Sequence, residues 1–229
     1  MPTTVITGAN RGIGLELANQ CLERGDTVIA GCRNPDDAQD LIGLAPAQIL
    51  ALDVGDEASI DLFAQSIEGP VDLLINNAGT SVSNLGLDKE RAGVLSAPID
   101  LTLDLIRVNG LSAAAVTRNL LGRLDSGSQV VNITSQIGSM VVGANFDDLP
   151  YAASKAVMNM VTVQLATQLK DDGISVVAFH PGWVRTDMGG SSADLSVQES
   201  ASGILSTMKN FQHGDTGSFL RWDGSTHPW

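Results

Sequence analysis

The chain has 229 residues, enough for one sizeable α/β domain. Apolar residues make up 43% of it, which is ample for a packed core. Thirteen Lys and Arg against 26 Asp and Glu give a net charge of −13, and no basic stripe or basic amphipathic helix offsets it, which argues against nucleic acid and anionic lipid as partners.

Cys21 and Cys32 are too few and wrongly spaced for a metal site or a disulfide framework, and read as small apolar filler. His180, His213 and His227 are scattered, so no metal is expected. The opening MPTTVITG has neither a charged nor a long apolar stretch of the signal-peptide kind, and no uncharged apolar run reaches membrane-spanning length. The expected compartment is a reducing cytoplasm.

In chain order, residues 3–7 form a short buried strand that runs into Gly8-Ala9-Asn10-Arg11-Gly12-Ile13-Gly14. Helical periodicity follows over 15–24, Gly25 ends that helix, and 27–31 is a second strand. A strand, a glycine turn, a helix and a strand in this order make a dinucleotide-binding unit. The glycines let the backbone approach a pyrophosphate, and the helix N-terminus presents free N–H groups and a positive dipole end.

The alternation continues. A short helix at 36–43 precedes a strand at 47–52, which ends at Asp53-Val54. A helix at 56–67 starts at Asp56, where a carboxylate suits the N–H dipoles. A strand at 71–75 closes on Asn76-Asn77-Ala78-Gly79. Residues 80–98 are irregular, 101–125 helical, 129–133 a strand, 134–149 a loop and 150–170 a helix. A strand at 174–179, a loop at 180–196, a helix at 197–208 and a short strand at 218–221 complete the chain. With no linker or repeat, this pattern predicts one domain over 1–229: a Rossmann-type, doubly wound parallel sheet of about seven strands with helices on both faces. Ligands of such sheets bind beyond the carboxyl ends of the strands, where every unusual motif of this chain falls.

Tyr151 is the only tyrosine, and Lys155 follows it by four positions. On a helix the phenol and the ammonium share a face. A nearby cation favours phenolate, so Lys155 is expected to lower the phenol pKa and fit Tyr151 to exchange a proton with a substrate oxygen. Taken alone, such a pair is as readily a buried Tyr beside a solvated Lys. Its meaning comes from the surrounding motifs.

Thr7-Gly8-Ala9-Asn10-Arg11-Gly12-Ile13-Gly14, Asn76-Asn77-Ala78-Gly79, Asn132-Ile133-Thr134-Ser135, Tyr151-Ala152-Ala153-Ser154-Lys155 and His180-Pro181-Gly182-Trp183-Val184-Arg185-Thr186 together resemble the short-chain dehydrogenase/reductase pattern. The resemblance spans essentially the whole chain. The segment 180–190 and the ending 223–229 look like the C-factor-like and sniffer-like carbonyl reductase branch.

The resemblance implies a catalytic group of Asn109, Ser135, Tyr151 and Lys155. Tyr151 would move the proton, and Lys155 would tune it and bond the nicotinamide ribose. Ser135 would hold the substrate oxygen, and Asn109 would support a water leading to Lys155. The interval from Ser135 to Tyr151 is longer than the family usually has. Ser139 is nearer the usual spacing, but Ser135 ends the strand and precedes Gln136-Ile137-Gly138. A Ser nucleophile would need a G-x-S-x-G elbow, which Thr134-Ser135-Gln136 is not.

The resemblance further implies that Asp53 and Val54 flank the adenine, Asn77, Ala78 and Gly79 line the cofactor, and Pro181, Gly182, Val184 and Thr186 close over the nicotinamide. The second strand ends without an acid and is followed by Arg33. With Arg11 in the glycine turn, two guanidinium groups suit a 2′-phosphate, so NADP(H) is expected over NAD(H).

The substrate pocket is expected from 80–96, 136–149 and 183–195, with Ile137, Met140, Phe146, Trp183 and Met188 making it apolar. A small or medium carbonyl or alcohol fits, and the site is expected to be open. A homo-oligomer, dimer or tetramer, is implied by the small residues on the two long helices. A nucleotide-binding regulatory or signalling protein of the same fold is the competing reading.

Overall fold

The computed structural model describes residues 1–86 and 92–229. Seven strands form one sheet: β1 (Thr3–Thr7), β2 (Thr27–Cys32), β3 (Gln48–Ala51), β4 (Leu73–Asn76), β5 (Gln129–Ile133), β6 (Ser175–His180) and β7 (Phe219–Arg221). Their order is β3-β2-β1-β4-β5-β6-β7, and every neighbouring pair is parallel. The chain winds outward from β1 in one direction and from β4 in the other. The crevice between β1 and β4 is therefore the switch point where this topology opens a ligand site.

Side-chain alternation divides the core between the two faces. Ile6, Val28, Ile75, Val131 and Phe179 pack against α1 (Gly12–Glu23) and α7 (Val197–Lys209). Val5, Ile29, Leu74, Val130 and Val176 pack against α3 (Glu57–Gln65), α5 (Ser112–Leu120) and α6 (Leu149–Leu169), introduced here with α2 (Gln39–Leu44) and α4 (Ile99–Ile106). Burial on both faces explains the nearly unbroken apolar runs of the inner strands.

Local chemistry sets the helix starts. Asp56 caps α3 by accepting from Ala58 N at 3.0 Å. Ser196 and Glu199 close a reciprocal capping box on α7. Asp148 caps α6 by accepting from Tyr151 N at 3.1 Å, which fixes the register of the Tyr–Lys pair.

The expected continuous helix over 101–125 is replaced by α4, a wide π turn at Arg107–Leu111, α5 and a 3-10 turn at Leu121–Arg123. Two contacts account for the break. The buried Asn109 side chain is drawn into hydrogen bonds with Thr80 and Ser154. Gly110 lies so close to α6 that a Cβ there would stand 2.8 Å from both Ser154 O and Val157 Cγ1. The short helix expected at 36–43 is also divided, into a 3-10 turn at Pro35–Asp37 and α2.

Candidate active site

A cleft of about 1340 Å³ runs along the carboxyl ends of the strands. One end is formed by the turn between β1 and α1. Gly8 (φ +66°) sits against the β4 end, where a Cβ would stand 2.8 Å from Ala78 Cα, so only glycine fits. Thr7 Oγ1 accepts from Asn77 N and Ala78 N, both at 3.0 Å, and Asn77 Nδ2 donates to Thr7 O and Gly8 O. The two segments that flank the switch point are thereby locked together. α1 begins at Gly12, inside the turn, and its first turn carries no acid to compete for an anion.

Every proposed cofactor residue lines this cleft: Gly8, Asn10, Arg11, Gly12, Ile13 and Gly14, then Arg33, Asp53 and Val54, then Asn77, Ala78 and Gly79, then Tyr151 and Lys155, and Pro181, Gly182, Val184 and Thr186. The two arginines differ. Arg33 is exposed and has no hydrogen-bond or ion-pair partner among the described residues. Arg11 instead reaches across the cleft, its Nη1 lying 2.7 Å from Asp187 Oδ2. The expected pair of free guanidinium groups is thus one free group and one engaged with the 180–190 loop.

Ser135, Tyr151 and Lys155 all line this cleft. Ser135 is the N-cap of a 3-10 turn at Gln136–Gly138 and accepts from Ile137 N at 3.3 Å. Ser139 does not line the cleft, and its Oγ accepts from Val141 N and Val142 N. Lys155 is only 4% exposed, and its Nζ donates to Ile133 O at 2.9 Å. Burial lowers its pKa from 10.5 to about 8.

The same seclusion acts on Tyr151. Lys155 Nζ stands 5.7 Å from the ring centroid. Burial and then the Asp148 carboxylate push the phenol above its ordinary pKa. In the free protein the shift therefore runs against the expected lowering: burial of the phenol and the Asp148 carboxylate outweigh an ammonium that is itself held by a carbonyl.

Asn109 lies behind the cleft wall, fully buried. Its Nδ2 donates to Thr80 O at 2.8 Å and Ser154 Oγ at 3.0 Å, and its Oδ1 accepts from Thr80 N at 2.7 Å. Ser154 Oγ donates in turn to Tyr151 O at 2.7 Å. The wide turn thus ties the segment after β4 to the first turn of α6.

Of the expected pocket residues, Ile137, Trp183 and Met188 line the cleft. Phe146 and Met140 do not: they are 39% and 80% exposed on the segment between β5 and α6, whose 3-10 turn at Gly143–Asn145 lies outside the cleft. Residues 87–91 of the expected wall lie outside the described residues, whereas Thr80, Ser81, Asn84 and Leu85 line it. Beyond the residues assigned a role above, Thr7, Asp104, Arg107, Asp148 and His180 also border or brace the cleft. Only Thr7 and His180 carried a signal, by standing inside motifs.

Residues 2–195 match the family model described as short chain dehydrogenase. The chain is 36% identical over 163 residues to the C-signal protein of Myxococcus xanthus, covering 70% of this chain and 94% of that one. An NADPH-bound carbonyl reductase from chicken fatty liver superposes with a TM-score of 0.90 at 32% identity, covering 100% of this chain and 99% of that one. The carbonyl reductase Sniffer of D. melanogaster superposes with a TM-score of 0.91 at 28% identity, covering 100% of both chains. By its sequence and by the sheet and cleft it builds, this chain belongs to the short chain dehydrogenase family.

Proposed function

We propose that the protein is an NADP(H)-dependent oxidoreductase acting on a small or medium, largely apolar carbonyl or alcohol, with Tyr151 as general acid and base. The observation that carries this reading is that Ser135, Tyr151 and Lys155 line one cleft together with the α1 N-terminus and Arg33, which has no partner among the described residues. The glycine turn and α1 N-terminus suit a pyrophosphate, and Arg33 suits a 2′-phosphate. The solved relative from chicken fatty liver is NADPH-bound, which supports the same choice here.

The cofactor, when bound, supplies the hydride. The chain's own groups do the rest. Ser135 Oγ holds the substrate oxygen beside Tyr151 Oη and stabilises charge developing on it. Tyr151, kept protonated by its buried wall, donates its proton to that oxygen in reduction. Lys155 would bond the nicotinamide ribose, and Asn109 acts as a positioning residue that fixes α6. Ile137, Trp183 and Met188 exclude water around the reacting carbon. A homodimer belongs to the proposal too, supported by Leu103, Leu111 and Met160, which are exposed on α4, the wide turn and α6.

The test follows NADPH absorbance with a panel of carbonyls. Turnover by the wild type that falls at least about a hundredfold in Tyr151→Phe is expected from loss of a general acid. Cofactor binding without turnover across the panel would transfer the protein to the regulatory reading.

A further inference from the structure

The segment after β6 carries a frame of its own. Val184 bridges to Leu195, Arg185 N donates to Leu195 O at 2.9 Å, and Arg185 Nη1 donates to the Ala193 and Asp194 carbonyls. Thr186 accepts from Gly189 N on its Oγ1 at 3.1 Å and from Gly190 N on its carbonyl at 2.8 Å. A loop braced in this way presents Asp187 at the cleft without help from the glycine turn. Among the described residues, one hydrogen-bonded ion pair joins the loop to that turn: Arg11 Nη1 to Asp187 Oδ2 at 2.7 Å. The Asp187 carboxylate has no other partner among them.

This pair stands where the phosphates of a dinucleotide are expected. Arg11 is the N-cap of α1, gives it no side-chain cap, and is followed by a first turn without an acid. Thr186 lies over the same turn, since a Cβ on Gly12 would stand 3.4 Å from its Cγ2. An anion drawn to this helix start therefore meets Arg11 and Asp187 together. In the free protein the anion on Arg11 is the Asp187 carboxylate.

Cations are scarce in the cleft, which is lined by seven Asp or Glu and five Lys or Arg. Lys155 is held by Ile133 O, Arg107 by Asp104 three residues before it, and Arg185 by two carbonyls of its own loop. Arg33 is without a partner among the described residues, and Arg11 is the one whose partner comes from across the cleft. Both members of the Arg11–Asp187 pair are more than half exposed, so the pair is weak and a phosphate can displace the carboxylate.

We propose that Asp187 is an internal competitor for the cofactor: its carboxylate occupies Arg11 in the free protein, a phosphate of the dinucleotide displaces it, and the displaced charge sets how tightly the cofactor binds. This rests on the reading of the cleft as an NADP(H) site. Binding then frees the loop from the glycine turn, and on release of the cofactor Asp187 recaptures Arg11.

The experiment measures Kd for NADPH and NADH by cofactor fluorescence in wild type, Asp187→Asn, Asp187→Ala, Arg11→Gln and the double variant Arg11→Gln/Asp187→Asn, at low and high salt. Asp187 is exposed, so its substitution leaves the core untouched. Asp187→Asn and Asp187→Ala are expected to bind NADPH about threefold more tightly than wild type at low salt, the size of one exposed ion pair. The gain is expected to shrink at high salt and to vanish in the Arg11→Gln background. A gain confined to NADPH assigns the 2′-phosphate to Arg11, and an equal gain for NADH assigns the pyrophosphate. An unchanged or weaker Kd in the Asp187 variants overturns the inference, as does a gain of the same size in the Arg11→Gln background, which would be plain repulsion. Either result leaves the cofactor reading intact, whereas a wild type that binds neither dinucleotide overturns both.

Discussion

Of the four arginines that line the cleft, Arg11 is paired with Asp187, Arg107 with Asp104, and Arg185 with the Ala193 and Asp194 carbonyls, so Arg33 is the one without a partner among the described residues and the one on which we propose that cofactor choice turns. Arg33→Asp is expected to raise the KM for NADPH at least about thirtyfold, as loss of a charge-assisted phosphate contact does, and to leave that for NADH nearly unchanged. Equal KM shifts for the two cofactors would sink the assignment. Lys155 predicts a pH effect. Its folded pKa of about 8 lies below its ordinary 10.5, so the folded state binds fewer protons between those values. The burden of the buried charge is full below pH 8 and is relieved as pH rises toward 10.5. Relative to Lys155→Met, the wild type should therefore gain stability on the order of a few kcal/mol between pH 7 and 10, read by denaturant unfolding at each pH. These residue types and spacings were legible in the sequence because each motif names the atoms it needs. The direction of the Tyr151 shift was not legible. It depends on how far Lys155 Nζ stands from the ring and on a capping Asp148, and neither distance is written in a spacing of four.

The elements were mostly legible as well, since alternation and helical periodicity report burial on two faces. The largest exception has a clear physical source. A helix of 101–125 reads as continuous from its periodicity, but tertiary contact from α6 widens it at Arg107–Leu111. Gly110 is the sequence's trace of that contact, and a lone glycine in a helical pattern does not say which neighbour approaches. Gly110→Val would press a side chain against Ser154 O and Val157. Overpacking of this kind is expected to cost about 1 to 3 kcal/mol, measured by urea unfolding. A variant as stable as the wild type would show that the approach of α6 does not set the turn. The pocket wall failed for a related reason: Phe146 and Met140 are apolar enough for a lining, but the turns of 139–149 lead them out to solvent.

At the scale of the molecule, folding and cofactor binding are coupled through the switch point. Thr7, Gly8, Asn77 and Ala78 join β1 and β4 only when the sheet is formed, so the unfolded chain has no such cradle. NADPH at about a hundred times its Kd is expected to stabilise the protein by about 2.7 kcal/mol, seen as a rise in Tm, with NADH giving much less at the same concentration. The wide turn has a consequence of its own. It holds one residue more per turn than the helix on either side. Its five residues cover about the same rotation as four of an α-helix, so removing a single residue between Ile106 and Ser112 would restore ordinary winding and leave α5 in phase. Val116 and Leu120 would keep their places in the core, while the widening that turns Asn109 toward Thr80 would be lost. The wide turn therefore separates two things that a helix ordinarily ties together: the count of residues sets how Asn109 is presented, and the phase of the helix beyond it does not depend on that count.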